Sequence, residues 1–262
     1  MSGAPRSQHP TASTVLAVGD VAGLARWPVK SLAGEQLRGA WLDERGFAGD
    51  RTHALVDAAS RDRRPMTARG APRMLLWSAT YSGKADDRLE PARIPTPALR
   101  SPEGRCLSWS DPELPRALAD DLGRPIALRR DLAGQQDVHQ SILVTTEASR
   151  AALTAELGQP VDLRRFRANL HLALDAPAFA EDHWQGARLR VGELELEFLE
   201  PCRRCSVPSR DPDTSEKWGT LLRWIFDEHD GRFGIYARAD RTAHIALGQH
   251  VSVVASRTNG TA

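Results

Sequence analysis

Two thiols three residues apart, with two arginines between them, carry the most chemistry in this sequence. The tract Phe198-Leu199-Glu200-Pro201-Cys202-Arg203-Arg204-Cys205 is followed by Asp211-Pro212-Asp213-Thr214. Nearby cations favour a thiolate, so Cys205 can serve as a metal ligand, a nucleophile or half of a redox pair. The plain alternative is a pair of half-buried cysteines where a strand ends. A Cys-x-x-Cys redox pair normally opens a helix after a strand; here Pro208 and Pro212 oppose a helix. A zinc knuckle would need a second half, but Cys106 stands alone and the eight histidines show no metal-ligand spacing. His171, His183 and His229 could complete a site only by a coincidence of folding.

Three further tracts combine cations with hydroxyls, amides or glycines. Trp27-Pro28-Val29-Lys30-Ser31 presents an ammonium and a hydroxyl where a strand meets a turn, a combination suited to an anionic ligand. Gly46-Phe47-Ala48-Gly49-Asp50-Arg51 lets backbone approach closely, and Asp50–Arg51 is either an ion pair or an oxyanion clamp. Phe166-Arg167-Ala168-Asn169 sets a planar guanidinium beside an amide, which suits phosphate and heterocycle edges. Each also has a structural reading: a solvated lysine, a local ion pair, a cationic strand edge. The sequence contains no nucleophile elbow, Walker loop or dinucleotide fingerprint.

The elements that must position these residues are mainly strands. Val15–Val29, Gln36–Leu42, Arg51–Asp57 and Met74–Tyr81 read as strands. Ser110 and Glu113 have capping-box spacing ahead of a helix through Leu122. A second helix is expected from Thr145–Thr146 to Leu157, stopped by Gly158 and Pro160, and a third over Leu221–Glu228. A hairpin turns at Gly192, and a closing strand pair at Gly248. With no repeat and no strict βαβ alternation, the pattern predicts a mixed α+β fold, predominantly antiparallel β, built as a barrel with flanking helices. A disordered leader is expected over 1–13, an N-terminal β subdomain over 14–100 and a second domain over 101–256, joined between Lys84 and Pro102.

Composition narrows the partners. The 262 residues are 41% apolar and 26% charged, with a formal net charge of +1, so no global field points to nucleic acid or a membrane surface. Three cysteines make no disulfide framework. No apolar run is long enough to span a bilayer, and the polar N-terminus lacks a signal-peptide core. A cytoplasmic location is expected. Lysine occurs only at Lys30, Lys84 and Lys217, while arginine is abundant, so a local basic site remains open.

Taken together, these tracts resemble the MOSC family, named for the C-terminal domain of molybdenum-cofactor sulfurases. Arg26 to Ser31, Glu44 to Arg51 and Leu55-Val56-Asp57 resemble the β-barrel segment that precedes many such domains. Phe166 to Asn169, Phe179 to Trp184, Leu189 to Gly192, Pro201 to Cys205, Asp211 to Thr214 and Phe233-Gly234 resemble the MOSC domain itself. The layout is most similar to amidoxime-reducing components and their bacterial relatives. The resemblance implies a molybdenum cofactor held by one thiolate, Cys205, with Asp211 near the metal. Lys30, Ser31 and Arg51 would hold the pterin's phosphate or ring, and Thr145 or Thr146, Arg167 and Asn169 would add contacts. A soft thiolate suits molybdenum, and fixed cations suit a pterin phosphate. At family level a pyridoxal phosphate association travels with the same domain.

Two functions follow as expectations. One is a reductase of N-hydroxylated or N-oxide small molecules. It would take electrons from a separate donor of ferredoxin or cytochrome type with its own reductase, because the chain lacks cysteines for a cluster. The other is a carrier of the cofactor or of persulfide sulfur, without turnover. Pro208 and Ser209 depart from the threonine pair usual in reductase-like members, and Ala168 replaces a common proline.

Overall fold

One long strand ties the fold together. In the computed structural model, which describes residues 14–81, 90, 92–132 and 142–256, β1 (Val15–Arg26) is 12 residues long. Its first half pairs with the C-terminal strand, from Val15↔Val254 to Asp20↔His250. Its second half pairs with a central strand, from Gly19↔Leu174 to Leu24↔Leu170, with a register shift between Val21 and Gly23. A bulge of this kind bends a strand and increases its twist, which lets β1 close a barrel. Gly19 sits at the overlap of the two pairings, where an added Cβ would lie 1.9 Å from the Ala173 carbonyl oxygen.

The other staves are β2 (Ile142–Thr146), β3 (Leu170–Leu174), β4 (Arg188–Val191), β5 (Leu194–Arg203), β6 (Arg232–Ala239) and β7 (His250–Val254). Around the barrel the order is β3-β2-β6-β5-β4-β7-β1, closed by β1 against β3. Only β2 and β3 run parallel, as the intervening crossover through α2 (Glu147–Leu157) requires. All other pairings among the seven are antiparallel. Inward-facing Leu24, Val144, Leu170, Leu172, Leu189, Leu196, Ile235 and Val253 fill the interior. This is the expected mixed, mostly antiparallel fold.

A second core joins Val29, Leu32, Leu55, Met74, Trp77, Leu99, Leu107 and Leu118. It rests on two small sheets, His53–Asp57 with Ile126–Arg130, and Ser78–Thr80 with Ala98–Arg100 and Cys106–Ser108, and on α1 (Leu114–Leu122). β1 contributes to the barrel core, and the second core continues through Ile126. A third core packs α2 and α3 (Gly219–His229) around Phe166 and Phe233, whose rings stack at 4.0 Å.

Three expectations need correction. Met74–Tyr81 is not one strand: Pro72 starts a 3-10 turn over Pro72–Leu76, and only Ser78–Thr80 is extended, because proline fixes a φ suited to a helical turn's start. Ser110 does not cap α1. Its N-cap is Glu113, without a side-chain bond, and Asp111 accepts the Glu113 N–H at 2.9 Å instead. The segments around Gly248 do not pair with each other. Ala243–Ala246 pairs with Gly39–Asp43, while the Gly248 N–H is taken by Val21 O at 2.8 Å. Residues 1–13 lie outside the described residues. No helix among the described residues is long and apolar enough to cross a membrane.

Candidate functional site

Four loops meet where the barrel abuts the second core, and side-chain-to-backbone hydrogen bonds stitch them together. The first follows β1. Trp27 donates its indole N–H to Ala168 O at 3.2 Å, and its backbone N–H goes to Asp50 at 2.7 Å. From the second loop, Arg51 pairs with Asp50 and donates to Arg167 O at 3.0 Å and Asn169 Oδ1 at 3.4 Å. Arg167, in the third, donates to Leu32 O at 2.6 Å and lies over the Trp27 ring, 4.3 Å from its centroid. From the fourth, Arg204 donates to Phe166 O at 2.8 Å and Cys202 Sγ at 3.0 Å.

Between them lies a cleft of about 350 Å³, with Trp27, Gly34, Gln36, Arg164, Arg167 and Asp213 on its walls. Gly34 is needed there: an added Cβ would meet Arg26 O at 2.1 Å and the Trp27 ring at 2.7 Å. The charged lining is two guanidiniums and one carboxylate. Arg164 grips Asp213 through two bonds, of 2.8 and 2.6 Å, and also holds Asp162. Behind this wall, Arg165 binds Asp211 at 2.7 Å and Pro208 O at 3.3 Å and lies 5.2 Å from the Trp218 ring centroid. Arg165 Nε and Arg204 Nε are buried with no hydrogen-bond partner among the described residues.

The expected site residues divide into two sets. Arg167 lines the cleft. Lys30 and Ser31 sit on the same loop as its Ala33 and Gly34, both half-buried, with Ser31 at φ +68°. Cys205 is exposed in the turn between β5 and the 3-10 turn Val207–Ser209, whereas Cys202 is buried against Arg204 and the Tyr236 hydroxyl. The second set is engaged inside the fold. Asn169 is 1% exposed; it accepts the Leu143 N–H at 3.2 Å and donates to Ala25 O at 3.3 Å. Thr146 caps α2, accepting the Ser149 N–H, and its hydroxyl meets buried Glu181. Arg51 holds Asp50 and the Arg167–Asn169 turn. Asp211 folds its own loop, accepting the Asp213 and Thr214 N–H groups at 2.9 and 3.0 Å. Burial pushes its carboxyl up, but those N–H groups and Arg165 outweigh it and leave the pKa lowered.

Sequence reasoning named Thr145 and Asn169 as cofactor contacts but assigned His171 no part beside them in the cleft's second compartment. A cavity of about 50 Å³ shares Trp27, Gln36 and Arg164 with the cleft and adds Thr145, Asn169 and His171. His171 Nδ1 lies 3.0 Å from Thr145 Oγ1, and its Nε2 lies 3.0 Å from Glu147 Oε2. Only its place two residues beyond Asn169, on an inward-alternating strand, could have flagged it. Cys106 is exposed. Among the described residues no group of three or more His, Cys, Asp or Glu side chains is placed to hold a metal ion.

Comparison with known proteins agrees with the geometry. Residues 18–99 match the MOSC N-terminal β-barrel domain and residues 129–252 match the MOSC domain. Mitochondrial amidoxime-reducing component 1 of Homo sapiens is 27% identical over 237 residues, covering 75% of this chain and 68% of that protein. Mitochondrial amidoxime reducing component 2 of Macaca fascicularis is 23% identical over 281 residues, covering 89% and 83%. The molybdenum cofactor sulfurase of Caenorhabditis elegans is 27% identical over 243 residues, covering 83% of this chain but 33% of that protein.

Proposed function

Because the chain belongs to the MOSC-domain family, we propose that its cleft binds the molybdenum cofactor and that the protein reduces N-hydroxylated or N-oxide compounds with electrons from a separate carrier protein. The residues present suit such a group. The cofactor is anionic, and the cleft offers a guanidinium stacked on an indole, a second guanidinium at Arg164 and about 350 Å³ of space. Its metal needs few protein ligands, in keeping with a site that has an exposed thiol and no cluster of ligating side chains among the described residues. When bound, the cofactor supplies the two-electron chemistry; the protein supplies orientation and electrostatics.

On this reading Cys205 is the metal's thiolate and Arg167 clasps the pterin's anionic end, with Lys30 and Ser31 beside it on the facing loop. Arg51, Asn169, Thr146 and Asp211 act one step back, by fixing the loops from which those groups project. Cys202, locked to Arg204 and Tyr236, sets the register of the turn that presents Cys205. The observation that carries the proposal is the cleft itself, where the Arg167–Trp27 stack faces the loop of Pro212 and Asp213, the same connection that bears Cys205. The names of two relatives, amidoxime-reducing components, favour reduction of an N–O bond.

The test is turnover. Protein made in a host that synthesises the cofactor, given a viologen as artificial electron donor and an amidoxime as substrate, should consume the donor in proportion to amidine formed. Loaded protein that shows no turnover with amidoximes, hydroxylamines or N-oxides would favour the carrier reading, which the sulfurase relative also supports.

A further inference from the structure

Reducing an N–O bond to N–H and water takes up two protons along with two electrons, so a cleft that does this needs a proton source. A hydrogen-bonded chain runs from the surface to its second compartment. Glu147, at the start of α2 and 42% exposed in its side chain, is gripped by Arg150 and bonded to His171 Nε2. His171 is 10% exposed in its side chain and lies on β3 beside Thr145 on β2, which is fully buried. Thr145 and His171 both line the cavity of about 50 Å³ that adjoins the cleft across Trp27, Gln36 and Arg164. That cavity is polar on this side and large enough for a water molecule.

We propose that His171 is the proton donor of the cleft, oriented by Glu147 and relayed inward by Thr145. The inference rests on the reductase reading above. In each turnover the imidazolium gives its Nδ1 proton to Thr145 Oγ1, and the threonine hydroxyl passes its own proton to water in the cavity. From there the proton reaches the oxygen leaving the substrate. The carrier protein supplies both electrons, and the second proton comes directly from solvent. The neutral ring regains its proton from bulk water between turnovers. Glu147 keeps Nε2 protonated and so directs the transferable proton to Nδ1.

The charged groups around the ring are Glu147 and Arg150 on α2 and Arg164 across the cavity; β1 offers only Gly23, whose added Cβ would sit 3.3 Å from His171 Cβ. Burial lowers the His171 pKa below its ordinary value of 6.5, with Glu147 opposing that shift. Turnover should therefore rise as pH falls through the ring's lowered midpoint.

Two readouts test this. Ring nitrogen resonances of His171 should titrate below 6.5, and Glu147→Gln should lower the midpoint further; a ring that does not titrate, or a midpoint that Glu147→Gln leaves in place, contradicts the relay. Viologen-driven turnover in His171→Asn should fall about 100-fold at the acid end, with molybdenum content unchanged, and its pH profile should be flat where the wild type rises. A His171→Asn enzyme that keeps the wild-type profile overturns this inference while leaving the reductase reading standing. A loaded wild type with no turnover overturns the reading on which it rests.

Discussion

The barrel and the cleft beside it treat polar groups in opposite ways. Inside the barrel nearly every inward side chain is aliphatic, and the polar residues near it are consumed by backbone: Asn169 joins Leu143 to Ala25, and Thr146 caps α2. Around the cleft, guanidiniums stack on rings or reach across loops, Arg165 Nε and Arg204 Nε behind it have no acceptor among the described residues, and backbone adopts positive φ at Ser31, Arg51 and Arg167. Satisfied polar groups make a scaffold rigid; unsatisfied donors and strained backbone concentrate where a ligand is received. The family's motif residues straddle this divide, so mutating them should separate into two phenotypes.

Barrel substitutions should unfold the protein. Gly19→Ala forces a Cβ against the Ala173 carbonyl, a backbone atom that cannot turn aside. A loss of about 3 kcal/mol or more is expected, read as a lower denaturation midpoint with unchanged slope. Asn169→Ala strips the buried Leu143 N–H and Ala25 carbonyl of a partner and should cost about 2–3 kcal/mol. If it instead leaves stability intact and affects only cofactor content, Asn169 belongs to the cleft set and the division is misdrawn.

The second core adds a pH dependence. His53 is fully buried beside Trp109 and Tyr81. Burial, helped by Arg130, pushes its pKa down to about 4 from 6.5. The unfolded chain therefore binds more protons between those values, so stability falls as pH drops from 6.5 to about 4 and then levels. The full loss is about 3 kcal/mol. Denaturant melts at pH 7.5 and 5 should diverge for the wild type and converge for His53→Gln after its own baseline loss. Parallel behaviour would mean that another group governs acid lability.

The smallest effect on stability belongs to the cleft. Arg167→Ala removes a stacking contact and one bond to Leu32 O and should cost about 1 kcal/mol. Its effect on cofactor retention after dialysis should far exceed that. Unchanged retention would remove Arg167 from the binding set.

Much of this was legible in the chain. The apolar alternation of β1, β5 and β7 marked the staves, and Thr146 with Gly158 marked the ends of α2, because these signals are local. Met74–Tyr81 misled because its apolar run is equally compatible with a 3-10 turn begun by Pro72. The segments flanking Gly248 look like a hairpin by spacing, but Ala243–Ala246 pairs with Gly39–Asp43, more than 200 residues upstream, and β7 pairs with β1 and β4. At the site, cations and thiols could be named from type and order. Which of them line the cleft and which hold the loops depends on hydrogen bonds across more than 100 residues, such as Arg51 to Arg167, and no local pattern encodes that. His171 was hidden for the same reason: its partners come from other elements.

The most direct test of the account is molybdenum and pterin content per chain, measured on protein from a cofactor-producing host, for wild type, Cys205→Ala and Cys202→Ala. Near-stoichiometric metal in the wild type, lost in Cys205→Ala and largely kept in Cys202→Ala, is the expected result. Equal metal and pterin in wild type and Cys205→Ala would contradict the assignment of the exposed thiol as the anchor of the cleft.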